Sequence, residues 1–230
     1  MTGSAEPLTI MIDGAPGVSG LLWAPAPARA CYVFAHGAGA GMSHAFMQAV
    51  AAELAARNIA SLRYQFPYME QGSKRPDPPK LAHATVGAAV AEASRRLPGL
   101  TLFAGGKSFG GRMTSQAQAA SPLSGVHGLA FLGFPLHPAG RPSDERAKHL
   151  FDVRIPMLFL QGTRDALAAV ELIGQTAKRL GEGAALHLLQ DADHSFHVPA
   201  RSGRTDGDVR REMMDVLVAW ISNVISGGAE

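Results

Sequence analysis

The chain holds a single cysteine, Cys31, among 230 residues, so a fold stapled by internal disulfides is excluded. Charge is scarce as well. Only 17% of residues are charged and the formal net charge is +2, with no basic stripe, so neither nucleic acid nor an anionic membrane surface is indicated as a partner. No stretch approaches the roughly 18 apolar residues that a membrane-spanning helix needs. Met1 to Asp13 lacks a basic n-region and a long apolar segment, so no targeting segment is expected. These absences lead to the expectation of a soluble, cytoplasmic protein. Repeats and low-complexity segments are also missing, and Pro25-Ala26-Pro27 reads as a turn between strands.

What remains is ample apolar material. At 47% apolar, 230 residues suffice for one α/β domain with a large core, expected to span residues 1–230. Cys31 lies in the apolar run Cys31 to Ala35 and reads as a buried thiol. Short apolar runs alternate with helical patterns. Strands are expected at Leu8 to Ile12, Gly20 to Trp23, Tyr32 to Ala35, Ile59 to Tyr64, Thr101 to Ala104, Gly128 to Gly133, Pro156 to Leu160 and Leu186 to Leu189. Helices are expected over about His44 to Arg57, Leu81 to Leu97, Arg112 to Ala120, Leu167 to Leu180 and Gly207 to Ile225, with Gln65 to Lys80 as a loop. Such alternation implies a mostly parallel central sheet with helices on both faces. Ligands of such sheets bind at the carboxyl ends of the strands, which is where informative residues should stand.

Gly106-Lys107-Ser108-Phe109-Gly110 fits the G-x-S-x-G pattern of a nucleophile elbow, a sharp turn from strand to helix with serine at its tip. Gly106-Lys107-Ser108 also matches the end of a phosphate-binding loop. That motif requires glycine where Thr101 stands, and its loop would include the strand-like Leu102 and Phe103.

A serine nucleophile needs a base, and the base an orienting acid, here in the chain order Ser, Asp, His. Asp165 follows the strand pattern Leu158 to Leu160, and His194 follows Leu186 to Leu189. Ser108 is assigned as nucleophile, His194 as general base and then acid, and Asp165 as the group that fixes the imidazole tautomer. Asp165 has a competing role as cap of the next helix. Asp191 and Asp193 are alternative acids, but they lie too near His194 in sequence to reach its far nitrogen easily. His197 competes with His194. Asp193-His194-x-x-His197, with Asp191 nearby, also resembles a fragment of a metal site, although no second ligand cluster is evident. His187 reads as half-buried packing and His127 as surface.

The oxyanion of the tetrahedral intermediate needs fixed N–H donors. The residue after the nucleophile, Phe109, should supply one, aided by the helix N-terminus. The other is expected from the glycine loop His36 to Gly41, at Ala38, with His36 bracing the loop. A dinucleotide-binding G-x-G-x-x-G starting at Gly37 would need glycine at Met42, so it fails.

These sites together resemble the α/β-hydrolase superfamily. The chain is similar in particular to the small hydrolase-like family that includes testis-expressed protein 30 and the hydrolase-like domain of the KANSL3 chromatin subunit. The similar segments are His36-Gly37-Ala38-Gly39, Phe66 to Glu70, Gly105 to Arg112, Phe134 to Pro138, Gln161 to Asp165 and Asp193 to Phe196. The resemblance implies the α/β-hydrolase fold and carries the triad onto Ser108, Asp165 and His194. It implies no substrate, since some members act as complex subunits. Dienelactone hydrolases are similar in size but use cysteine where Ser108 stands.

Only Phe134 to Ile155 lies between the strand after the elbow and the strand bearing the acid, so the lid is expected to be minimal, one short helix at Ser143 to Phe151. Met42, Phe46, Phe66, Tyr68, Met69, Phe109, Leu136 and Phe196 fall near the mouth by sequence position, with half of them expected in the core. His137 is a candidate lining residue, and Lys74, Arg75 and Lys80 read as a solvated loop. The expected function is a serine hydrolase of small acyl esters working through an acyl-enzyme, with no metal or organic cofactor implied. The alternative is a catalytically silent hydrolase-like scaffold that binds a protein partner.

Overall fold

The computed structural model describes residues 4–227, so the first and last three residues of the expected domain lie outside the described residues. Eight strands form one sheet: β1 (Glu6–Ile12), β2 (Ala15–Trp23), β3 (Ala30–Ala35), β4 (Ile59–Tyr64), β5 (Thr101–Lys107), β6 (Val126–Leu132), β7 (Met157–Gly162) and β8 (Ala184–Leu189). Their spatial order is β1-β2-β4-β3-β5-β6-β7-β8. β1 and β2 form an antiparallel hairpin whose second strand joins β4, and every pairing from β4 through β8 is parallel. This is the α/β-hydrolase fold expected from the sequence.

Among the described residues, six α-helices flank the sheet: α1 (Ala45–Ala55), α2 (Pro67–Glu70), α3 (Pro79–Arg96), α4 (Phe109–Ala120), α5 (Val170–Leu180) and α6 (Asp206–Gly227). Side chains alternate across β3, whose six residues are all buried. Cys31, Val33 and Ala35 pack in the layer that holds Val86 of α3, Met113 of α4 and Ile173 of α5. Ala30, Tyr32 and Phe34 pack against Val50 and Leu54 of α1 and Met213 and Leu217 of α6. A strand buried on both faces reads as a continuous apolar run, which is why Cys31 to Ala35 was recognisable. Burial pushes the Cys31 thiol up to about 12, so it is inert at neutral pH.

Several boundaries differ from the sequence expectation. β1 and β2 are longer than expected. β5 runs through Gly105 and Gly106 to Lys107, and α4 begins at Phe109, ahead of Arg112, because close backbone packing overrides the poor local propensity of these glycines. α3 starts at Pro79, which suits the first helical turn where a proline lacks no needed N–H. The expected loop at Gln65 to Lys80 contains α2, also led by proline. α5 starts at Val170, three residues after the expected Leu167. The minimal lid is a short 3-10 helix, Glu145–Asp152.

Gly105 locks the central strands together. Its φ is +152°, and a Cβ there would stand 1.8 Å from the Ala130 carbonyl oxygen of β6. Relief would require separating β5 from β6 at the centre of the sheet. Gly105→Ala is expected to cost about 4 kcal/mol or more in urea unfolding, or to abolish soluble expression. A loss below about 1 kcal/mol would contradict this packing.

Candidate active site

β5 delivers Ser108 to the carboxyl edge of the sheet. Ser108 has φ +50° and ψ −116°, a strained conformation for a residue with a side chain. The turn is forced by close packing on both sides. A Cβ on Gly106 would stand 2.5 Å from the Ala35 carbonyl oxygen, and one on Gly110 would stand 2.5 Å from that of His36. The elbow therefore seats directly on the end of β3, and only glycine fits at either flank.

The structure brings Ser108, His194 and Asp165 together from three separate strand ends. His194 Nε2 lies 2.8 Å from Ser108 Oγ, and its Nδ1 lies 2.7 Å from Asp165 Oδ2. A carboxylate only accepts, so Nδ1 carries the imidazole proton and Nε2 is left to accept from the serine hydroxyl. The Asp165 side chain is wholly buried, while that of His194 is a quarter exposed. Both carboxylate oxygens are occupied: Oδ1 accepts from the Leu167 N–H at 2.7 Å, and Oδ2 also accepts from Gln161 Nε2 at 2.5 Å. Asp165 is thus not the cap of α5, whose N-cap is Ala169.

The competing residues are placed elsewhere. Asp193 Oδ1 accepts from the N–H groups of Ser195 and His197, closing the loop that carries His194. His197 pairs with Asp206 on the surface, which raises its pKa. The Asp191 N–H donates to Thr163 Oγ1 at 2.8 Å. His187 is half-buried against Glu212 at 2.7 Å, and His127 is exposed.

Among the described residues, neither the Ala38 nor the Phe109 N–H has a hydrogen-bond partner in the protein. Phe109 opens α4, where the first N–H groups are left over by helix geometry and the helix field favours negative charge. Ala38 lines the same cavity as Ser108 and His194.

A family model described as an alpha/beta hydrolase domain matches residues 28–222. The chain belongs to the α/β-hydrolase family. Its fold is similar to that of a dienelactone hydrolase from Anabaena variabilis at 19% identity and TM-score 0.79, covering 97% of this chain and 99% of that one. It is also similar to an alpha-beta serine hydrolase homologue from Coxiella burnetii, at 15% identity and TM-score 0.75, covering 95% and 98% of the two chains. A lidless serine hydrolase from Xanthomonas campestris matches at 20% identity and TM-score 0.72, over 96% of each chain.

In this α/β-hydrolase domain the glycine loop after β3 is held from β4 and α2 by side chains. The Gly39 N–H donates to Tyr68 Oη at 3.0 Å, the Met42 N–H to Gln65 Oε1 at 2.8 Å, and Arg63 Nη1 to the Met42 carbonyl at 3.1 Å. His36 spans the gap: Nδ1–H donates to the Gly37 carbonyl at 2.8 Å and Nε2 accepts the Phe66 N–H at 3.1 Å. The Nε2 bond needs neutral imidazole, since a protonated nitrogen cannot accept, and burial lowers the His36 pKa to about 4. Phe66 and Tyr68 are therefore core residues, as are Phe109, Leu136 and Phe196. Of the residues expected near the mouth, only Phe46 lines the cavity, where it stacks on Phe196 at 5.7 Å between centroids.

The cavity beside Ser108 measures about 400 Å³ and is also lined by His44, Met47, Leu167 and Ser195. Larger surface grooves, of about 610 and 720 Å³, lie along α3 and hold none of the Ser108 cluster. His137 does not line the cavity. It is buried and ties the chain after β6 to the start of α5, accepting the Ala169 N–H at 2.9 Å. Lys74, Arg75 and Lys80 are exposed.

Two residues at the site were missed by sequence reasoning. Gln161 is wholly buried and joins Asp165 to the Phe134 N–H, at 2.9 Å for the latter; a polar residue ending an apolar strand was the available signal. Lys107 sends its ammonium to the His194 main chain, which only the folded chain makes visible.

The neutral His36 makes stability depend on pH. Its contribution is complete above pH 6.5 and is lost as pH falls toward 4, because only the unfolded chain takes up the proton in that window. The full loss is about 3 kcal/mol. Urea unfolding at pH 7 and 4.5 should show a drop for wild type that exceeds the drop for His36→Gln by about 2 kcal/mol. Equal drops would contradict the assignment.

Proposed function

We propose that this chain is a serine hydrolase of small carboxylic esters that works through an acyl-enzyme. The observation that carries the reading is the unbroken hydrogen-bonded relay from Ser108 Oγ through His194 to the buried Asp165. In this reading His194 Nε2 takes the hydroxyl proton as Ser108 Oγ attacks the ester carbonyl. Asp165, fully hydrogen-bonded, stabilises the imidazolium and keeps its orientation. The oxyanion accepts from the Phe109 and Ala38 N–H groups. His194 then returns the proton to the leaving alcohol, and a water activated by His194 releases the acid and frees Ser108.

The size of the cavity favours short acyl chains. About 400 Å³ lies at the small end of ligand pockets, and the walls Phe46, Met47 and Leu167 are apolar. The similar solved structures include an esterase domain from a Rhodothermus marinus protein, which is consistent with an ester substrate. The likeness to testis-expressed protein 30 and the KANSL3 domain, resting on the quoted segments, belongs to this proposal, as does a cytoplasmic setting. Among the described residues no helix is long and apolar enough to cross a membrane.

A panel of p-nitrophenyl esters should give the highest kcat/KM at acetate to butyrate and fall with longer chains. A fluorophosphonate probe should label Ser108. Ser108→Ala should abolish labelling and lower kcat by about 10⁴-fold or more. Ester turnover that survives Ser108→Ala within tenfold would overturn the assignment, and a wild type that neither turns over esters nor labels would favour the silent scaffold.

A further inference from the structure

Lys107, the first variable residue of the elbow, is unused by the chemistry above. Its side chain leaves the end of β5 along Gly37 and reaches the main chain of His194. Nζ donates to the His194 carbonyl oxygen at 2.5 Å and lies 5.0 Å from the centre of the Phe196 ring. It also comes close to Gly133 at the end of β6, since a Cβ there would stand 3.0 Å from Nζ and 3.5 Å from His194 Nδ1. Lys107 is half-buried, lines the cavity beside Ser108 and has no carboxylate in direct contact with its ammonium.

The His194 loop needs such a fastening. Asp191 and Phe196 both have positive φ, +60° and +65°, a strained backbone for residues with side chains. Asp193 and Thr163 hold the loop on either side of His194. Among the described residues, the one hydrogen bond to the His194 main chain comes from Lys107.

We propose that Lys107 is a positioning residue for the general base: its charged ammonium clamps the His194 main chain and so holds the imidazole between Ser108 and Asp165. The role rests on the serine-hydrolase reading. The groups facing the ammonium are Asp165 from the turn after β7 and Asp193 and His194 from the loop after β8; Gly37 and Gly133 bring no charge. Burial lowers the Lys107 pKa to about 8, while Asp165 and Asp193 keep it from falling further. A charge-assisted hydrogen bond is about twice as strong as a neutral one, so the clamp weakens when the amine loses its proton. An opposing effect exists, because an ammonium beside His194 repels the imidazolium formed in the reaction. If repulsion dominated, activity would rise through pH 8.

The same pKa shift sets stability in the opposite sense to function. Between about pH 8 and 10.5 the unfolded chain holds a proton that the folded chain has lost, so burying the charge weakens the fold at and below neutral pH. Lys107→Met should accordingly melt no lower than wild type while working less well.

The experiment compares wild type and Lys107→Met by ester turnover from pH 6 to 10 and by hydrogen exchange of residues 190–198. For wild type, kcat should fall as pH passes about 8, and protection of the loop, corrected for the intrinsic exchange rate, should fall in the same window. For Lys107→Met, kcat at pH 7 should be about tenfold lower with KM within about threefold, and both pH transitions should be absent. A kcat that rises through pH 8, a transition that persists in the variant, or loop protection that is flat with pH in wild type would overturn the proposal. Exchange does not depend on turnover, so a wild type without esterase activity but with a pH-dependent loop would count against the serine-hydrolase reading and leave the clamp standing.

Discussion

The elbow at Ser108 rests on the last residues of β3 with no space for another side-chain carbon. Gly106 meets the main chain of Ala35, and Gly110 that of Ala35 and His36, at distances that a Cβ would violate. Most of the site follows from this contact. It fixes where Ser108 Oγ points, and it seats the start of α4 against the chain after β3, whose glycine loop lines the cavity together with Ser108. The strained Ser108 backbone persists because the surrounding sheet over-determines it.

Around this seat the protein arranges a set of buried polar groups, each with a defined partner. Asp165 is held by three donors, His36 bridges two main-chain groups, and Gln161 joins the acid to the chain after β6. Removing one partner from such a network leaves another group desolvated and unpaired, which costs more than the bond itself contributes. Orientation of the imidazole therefore depends on Asp165 and Gln161 at the end of β7 and on the chain after β6 that Gln161 holds. In the proposed clamp Lys107 extends the same logic, with a charge placed where it weakens the fold and holds the His194 main chain.

The sequence made the sheet legible because strands buried on both faces are mostly apolar runs, as at Cys31 to Ala35 and Met157 to Leu160. It made Ser108, Asp165 and His194 legible because each follows a strand pattern, and the structure brings the three within hydrogen-bonding distance. Glycine misled locally. The expected strand stopped at Ala104, with Gly106 in the elbow turn, yet Gly105 and Gly106 are strand residues whose missing side chains admit β3 and β6. The bracing of the glycine loop by Arg63, Gln65 and Tyr68, and the reach of Lys107 to residue 194, have no local signature. They are contacts between distant segments, formed only when the sheet edge is assembled. His137 failed for the converse reason: its place beside Pro138 suggested the mouth, but the turn carries it inward to α5.

The central claim is that Ser108 becomes acylated because His194 removes its proton. Quenching wild type in acid during turnover of p-nitrophenyl acetate, followed by peptide mass mapping, tests it directly. An acetyl group should appear on the peptide containing Ser108 in wild type and be absent under the same conditions in His194→Ala. An adduct on another residue, or equal acetylation of Ser108 without His194, would contradict the account.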